Sequence, residues 1–139
     1  VLVDLGSGKG RVLLVAQEFP FKRIVGVEWS GELHAIAQTN VAIAAVSGQV
    51  PDARFELLQM DAAAYAFPTE PLVVFLFNPF GAATMAHVVA NLELTLAAYP
   101  RRVIVIYANP LHGDFFAQSA AFRTIAATRA DALFESVAR

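Results

Sequence analysis

Asp4-Leu5-Gly6-Ser7-Gly8-Lys9-Gly10 is the stretch on which the fold turns. It follows a short apolar run, Val1–Leu5, that reads as a strand. From Arg11 onward the spacing of Val12, Leu13, Val15, Ala16 and Phe19 is that of a helix face closed by Pro20. Alternating glycines at a strand-to-helix turn let the backbone approach a ligand, and the N–H groups at the helix start then offer hydrogen bonds to it. The loop therefore predicts a nucleotide-like ligand at the carboxyl end of the first strand of an alternating α/β domain.

Working outward, Ile24–Val27 is a second strand. Ser30 is a helix N-cap with Glu32 in the first turn, and Leu33 to about Val46 a mostly buried, Ala-rich helix stopped by Ser47-Gly48. Arg54–Gln59 is a third strand, Asp61–Ala66 a short turn or helix, and Leu72–Phe77 a fourth strand, apolar on both faces as a central parallel strand requires. Met85, Val88, Val89, Leu92 and Leu96 repeat at three and four, predicting a helix over about 83–98, before a fifth strand at Val103–Tyr107. A short helix near Asp114–Ser119 leads to Phe122–Thr128 and Leu133–Ala138, too close in sequence for a crossover helix, hence an antiparallel hairpin at the sheet edge. In such folds ligands bind beyond the carboxyl ends of strands. Those positions hold Gly6–Gly10, Glu28-Trp29, Asp61, Asn78-Pro79-Phe80 and Asn109.

Composition limits the alternatives. The chain has 139 residues, 57% of them hydrophobic and only 16% charged, which suits one core-rich domain. A net charge of −2 gives no strong nucleic-acid signal, and the longest apolar run, Pro71 to Phe77, is far short of a membrane span. The absence of cysteine removes disulfides and thiolate metal sites and fits a reducing, cytoplasmic setting. The chain opens directly on an apolar strand, without initiator Met or basic leader, and reads as an excised core lacking its N-terminal segment. His34, His87 and His112 have no metal-ligand spacing, so no metal is expected; His112, close after Asn109-Pro110, is a candidate proton acceptor.

Two phosphate-binding motifs fit the loop poorly. A P-loop needs Gly five residues before its Gly-Lys and Ser or Thr after, where this chain has Val3 and Gly10. The dinucleotide fingerprint G-x-G-x-x-G finds its distant acid in Glu28, but the spacing here is G-x-G-x-G, and Asp4 would repel a pyrophosphate. A cationic ligand suits Asp4 better.

With an acid before G-x-G-x-G, the sequence resembles the class I S-adenosylmethionine-dependent methyltransferases over nearly its whole length. The resemblance implies a doubly wound, Rossmann-like sheet of seven strands, mainly parallel with a C-terminal antiparallel hairpin, in the order 3-2-1-4-5-7-6. It implies S-adenosyl-L-methionine as cofactor, held by Asp4, Gly6, Ser7, Gly8 and Gly10. Glu28 would accept the ribose hydroxyls, and Asp61 the adenine amino group beside the Ala62 N–H. Trp29 would either cover one adenine face or pack at a helix start. Asn78-Pro79-Phe80 resembles the N-P-P-Y/F motif of amino-group methyltransferases without its second proline, which implies that Asn78, Pro79 and Phe80 border the transferred methyl. The acceptor would be an amino nitrogen of a small molecule or protein side chain. A narrower likeness to the non-SET protein lysine methyltransferases, over about half the chain, rests on the D-L-G-S-G-x-G turn, the G-V-E strand end and the aromatic that follows Asn78 in the fourth motif. A non-catalytic module of the same fold and a nicotinamide-dependent oxidoreductase stand as alternatives, and neither the acceptor nor the oligomeric state is written in the sequence.

Overall fold

The computed structural model describes residues 1–48 and 54–137. Its elements run β1 (Leu2–Leu5), α1 (Arg11–Ala16), β2 (Ile24–Glu28), α2 (Gly31–Val46), β3 (Phe55–Gln59), a 3-10 turn (Ala62–Ala64), β4 (Leu72–Phe77), α3 (Ala82–Ala98), β5 (Val103–Ala108), α4 (Asp114–Ala117), β6 (Phe122–Ala127) and β7 (Asp131–Ser136). The strands form one seven-stranded sheet in the order β3-β2-β1-β4-β5-β7-β6, the order that the resemblance implies. The chain divides into two compact units, Val1–Ala62 and Ala63–Arg139.

In the first unit, β1, β2 and β3 pair in parallel, with Asp4 in register with Gly26 and Glu28 with Gln59. All four residues of β1 are buried, and α1 packs on β1 and β2. Gly26 makes that packing possible. A Cβ there would stand 2.6 Å from Leu13 Cδ1 and 2.9 Å from Ser7 Oγ, so α1 and the glycine loop lie against bare backbone. Replacing Gly26 with Ala overpacks this contact, because Leu13 is fully buried. We expect a loss of about 1–3 kcal/mol in stability, read as a lower urea midpoint with an unchanged slope.

Helix α1 ends at Ala16, short of Phe19 and Pro20. Pro20 disfavours helical geometry at Phe19. The chain instead leaves by two tight turns, Glu18 N–H to the Val15 carbonyl and Phe19 N–H to Ala16, which leave Phe19 exposed. Arg54 lies outside β3 and fastens this turn, its guanidinium donating to the carbonyls of Gln17 (2.8 Å), Phe21 (3.1 Å) and Phe19 (3.3 Å). Helix α2 is less buried than its composition implies. Only Ala37, Val41 and Ala44 are buried, at helical spacing, whereas Ile43 and Val46 face solvent. A single stripe suffices to seat a helix on one side of a sheet.

In the second unit, β4 and β5 are parallel, while β7 runs antiparallel to both β5 and β6, so the C-terminal hairpin forms one edge. Its turn is held by Thr128 Oγ1, which accepts the N–H groups of Ala130 and Asp131. Ala138 of the predicted last strand lies outside the described residues. The core gathers Leu72, Val74 and Leu76 of β4, Val103, Val105 and Tyr107 of β5, Met85, Val88, Val89 and Leu92 of α3, and Phe116, Phe122 and Phe134. Strand β4 is apolar on both faces as predicted but buried on one: Val73 and Phe75 are half-buried and Phe77 is 66% exposed.

Candidate functional site

In the first unit, the candidate site is built where β1 and β2 end. Gly6, Gly8 and Gly10 take φ values of +79°, +55° and +85°, a left-handed backbone that glycine adopts without steric cost. The N–H groups of Gly6 and Ser7 both donate to the Val27 carbonyl, at 2.8 and 3.0 Å, pinning the loop to β2, and Gly10 N–H closes the turn onto the Ser7 carbonyl. Ser7 is nearly buried and so acts through its backbone in this geometry.

Glu28 organises the loop. Its Oε2 accepts Gly8 N–H at 2.8 Å and its Oε1 accepts Ser30 N–H at 2.8 Å. Each carboxylate oxygen has a second lone pair, so both oxygens stay able to accept a further donor. Ser30 in turn caps α2 as predicted, its Oγ accepting Leu33 N–H at 3.3 Å. The Glu28 carbonyl accepts Met60 N–H at 3.1 Å, which brings the end of β3, and with it Asp61 and Ala62, alongside the end of β2. Asp61 is exposed and Ala62 buried. Trp29 is 77% exposed, so packing at the helix start does not account for it.

Asp4 is 3% exposed and stands beneath the loop. Burial first, and the neighbouring Glu28 charge second, push its carboxyl up to about 7. No cation among the described residues makes a hydrogen bond or salt bridge to it, so the strand end carries an uncompensated acid.

In the second unit, Asn78 ends β4 with φ +40° and Asn109 follows β5 with φ +49°. Asn tolerates this region better than most residues, at a modest cost in strain. Asn109 is held by its backbone, N–H to the Ala130 carbonyl and carbonyl to Leu111 N–H. Asn78 differs, because its Oδ1 is buried and without a hydrogen-bond partner. A strained backbone that presents an unsatisfied acceptor is the pattern expected where a ligand completes the bonding. Pro79 and Phe80 beside it are half-buried. The remaining histidine candidate, His112, donates its backbone N–H to Tyr107 Oη and packs its ring against Phe115.

Two contributors escaped sequence reasoning. Gly26 reads as an ordinary strand residue until its neighbours are known. Asn40 lies mid-α2, where its Nδ2 donates to the Lys9 carbonyl at 2.9 Å and steadies the loop from the helix side. Its one available signal is an amide on the helix that follows β2. Among the described residues, no cluster of three or more His, Asp or Glu side chains is placed to hold a metal, and no helix is long and apolar enough to cross a membrane.

No protein-family model matches the sequence, and no curated protein does so significantly. Solved structures do. The glycopeptide N-methyltransferase MtfA superposes with a TM-score of 0.66 at 14% identity, over 99% of this chain and 83% of that one. Its complex with (S)-adenosyl-L-methionine gives 0.65 at 14% identity, over 99% and 81%. The ribosomal protein L11 methylase of Lactobacillus delbrueckii subsp. bulgaricus gives 0.64 at 20% identity, over 99% and 69%. At these identities the likeness is one of fold, and the fold is the Rossmann-like sheet these methyltransferases share.

Proposed function

We propose that the chain is an S-adenosylmethionine-dependent methyltransferase acting on an acceptor that presents an N–H, an amino nitrogen of a small molecule or protein side chain. The observation that carries the reading is the buried, uncompensated Asp4 under a glycine loop tied to Glu28. A pyrophosphate is repelled by that pair of acids, whereas a ligand with an ammonium and a sulfonium is attracted. S-adenosylmethionine, when bound, supplies a methyl group already activated for displacement. Asp4 then orients the amino-acid end, Glu28 accepts the ribose hydroxyls through its free lone pairs, Asp61 and the Ala62 N–H read the adenine edge, and Trp29 covers its face.

Asn78 serves the acceptor. Its orphaned Oδ1 takes an N–H of the incoming amine, fixing the nitrogen lone pair in direction, and Phe80 bounds the approach. That unsatisfied, strained Asn favours catalysis over a scaffold role. Calorimetric titration of the 139-residue chain with S-adenosylhomocysteine tests the cofactor. One-site binding is expected, with none for NAD, and the reverse preference overturns the proposal. Asn78→Ala should keep cofactor affinity while lowering methyl transfer to an amine pool about tenfold, the worth of one neutral hydrogen bond. Unchanged turnover removes Asn78 from the acceptor site.

A further inference from the structure

The second unit carries a groove of about 1070 Å³ that none of the preceding chemistry uses. It opens at the amino end of β5, flanked by α3 and the β6–β7 hairpin. Asn78 stands at the other end of β4, whose Leu72 N–H bonds to the Arg102 carbonyl. A six-residue strand separates the two by about 20 Å.

One wall is apolar, formed by Ala90, Leu94 and Ala97 of α3 with Ala121 and Val137 opposite. Leu94, 69% exposed, adds a large aliphatic side chain to this wall. The other wall is cationic. Arg101, Arg102 and Arg123 face Glu93 and Glu135, a surplus of one positive charge.

The carboxylates are already engaged. Glu135 receives Arg102 Nε on Oε1 at 2.8 Å and Arg123 Nη2 on Oε2 at 2.5 Å, and the two guanidiniums hold its carboxyl below the usual range. Glu93 accepts Ser119 Oγ. Arg101 spends its donors on the carbonyls of Glu70, Thr95 and Tyr99 and on Thr95 Oγ1. Arg102 and Arg123 remain 73% and 69% exposed, and among the described residues each donates only to Glu135. Glu135 thus holds two guanidiniums side by side with their other N–H groups unspent. Paired guanidinium forks of this kind match the oxygens of a carboxylate or phosphate.

We propose that this groove is a second ligand site, for an organic anion whose carboxylate or phosphate lies across Arg102 and Arg123 and whose aliphatic body lies along Leu94 and Ala97. A volume near 1070 Å³ suits a molecule well beyond a bare inorganic anion. Octyl phosphate and octanoate, below micelle-forming concentration, are the probes, titrated calorimetrically against the whole chain with octanol and methyl phosphate as controls. One-site binding of either octyl anion is expected, at least tenfold tighter than methyl phosphate or octanol. Affinity should fall about tenfold in Arg123→Gln and again with added salt. Leu94→Asp, on an exposed helix position, leaves the arginine clamp intact and should abolish binding without lowering the melting temperature. Equal binding of octanol removes the anion subsite, equal binding of methyl phosphate removes the apolar wall, and octyl-anion binding indifferent to both variants overturns the site.

Discussion

Asp4→Asn should stabilise the ligand-free protein at pH 8 by roughly 2–4 kcal/mol, and the gain should shrink as the pH falls toward 5. The sign follows from where the carboxyl titrates. In the folded chain it ionises near pH 7, against an ordinary value of 3.8, because burial and the Glu28 charge oppose ionisation. A group whose folded value is raised contributes stability that is complete below pH 3.8 and is lost as the pH climbs through 7. Wild type therefore loses stability over that window, and an amide that never ionises does not. Urea midpoints of both proteins at pH 5, 6, 7 and 8 read the difference. A gap that stays constant with pH would show that Asp4 does not titrate there.

Ligand affinity should move the opposite way. If the proposed cofactor site is right, an ammonium group prefers the ionised carboxylate, so wild type should bind S-adenosylhomocysteine more tightly from pH 6 to 7 and level off above. Asp4→Asn should bind about tenfold more weakly at pH 8, a charge-assisted hydrogen bond reduced to a neutral one, and show no such rise. The same residue then trades stability for binding, as expected where an acid is buried for use.

How much of this could be read beforehand depends on what the sequence writes locally. Apolar runs mark the parallel strands because a parallel sheet is buried on both faces, whereas the last strand of the antiparallel hairpin starts at Asp131, two residues before the Leu133 that its pattern suggests; the G-x-G-x-G loop marks the candidate site because only glycine takes those three positive φ values cheaply. The 3.6-residue pattern carries α1 on to Phe19, three residues past its end at Ala16, because it takes no account of the restriction that Pro20 places on Phe19. Alanine content overstates the buried fraction of α2, because it reports helix propensity and not what lies against the helix. Gly26, Asn40 and Arg54 were invisible in the sense that matters. Each acts on a partner distant in sequence, Leu13, the Lys9 carbonyl and the turn after α1, and no local pattern encodes such pairs. The arginine groove belongs to the same class, for Arg102, Arg123 and Glu135 meet only once the hairpin pairs.

Glu28→Ala is expected to weaken S-adenosylhomocysteine binding at least 100-fold, more than the loss of a ribose acceptor alone explains. The same carboxylate that would take the hydroxyls also receives the N–H groups of Gly8 and Ser30. Deleting it leaves both donors without their anion, which costs about 1–3 kcal/mol each where they are shielded from water. Gly8 is then released from the geometry that the loop needs. Glu28→Gln is nearly as harmful, since its carboxamide has one oxygen for two opposed N–H groups and must turn its NH2 toward the other. The two contributions separate with a ligand lacking the ribose hydroxyls. Wild type should bind 2′,3′-dideoxy-S-adenosylhomocysteine more weakly than the parent, whereas Glu28→Ala should bind the two alike, because the acceptor that distinguishes them is gone. Amide exchange at Gly8 and Ser30 should accelerate in Glu28→Ala without ligand, with the β2 amides still protected. If the variant keeps its preference for the hydroxylated ligand, the ribose is read elsewhere and Glu28 is only the loop's anchor. If exchange is unchanged while affinity falls, Glu28 acts only on the ligand, and the loop holds its shape through the Val27 carbonyl and Asn40 alone.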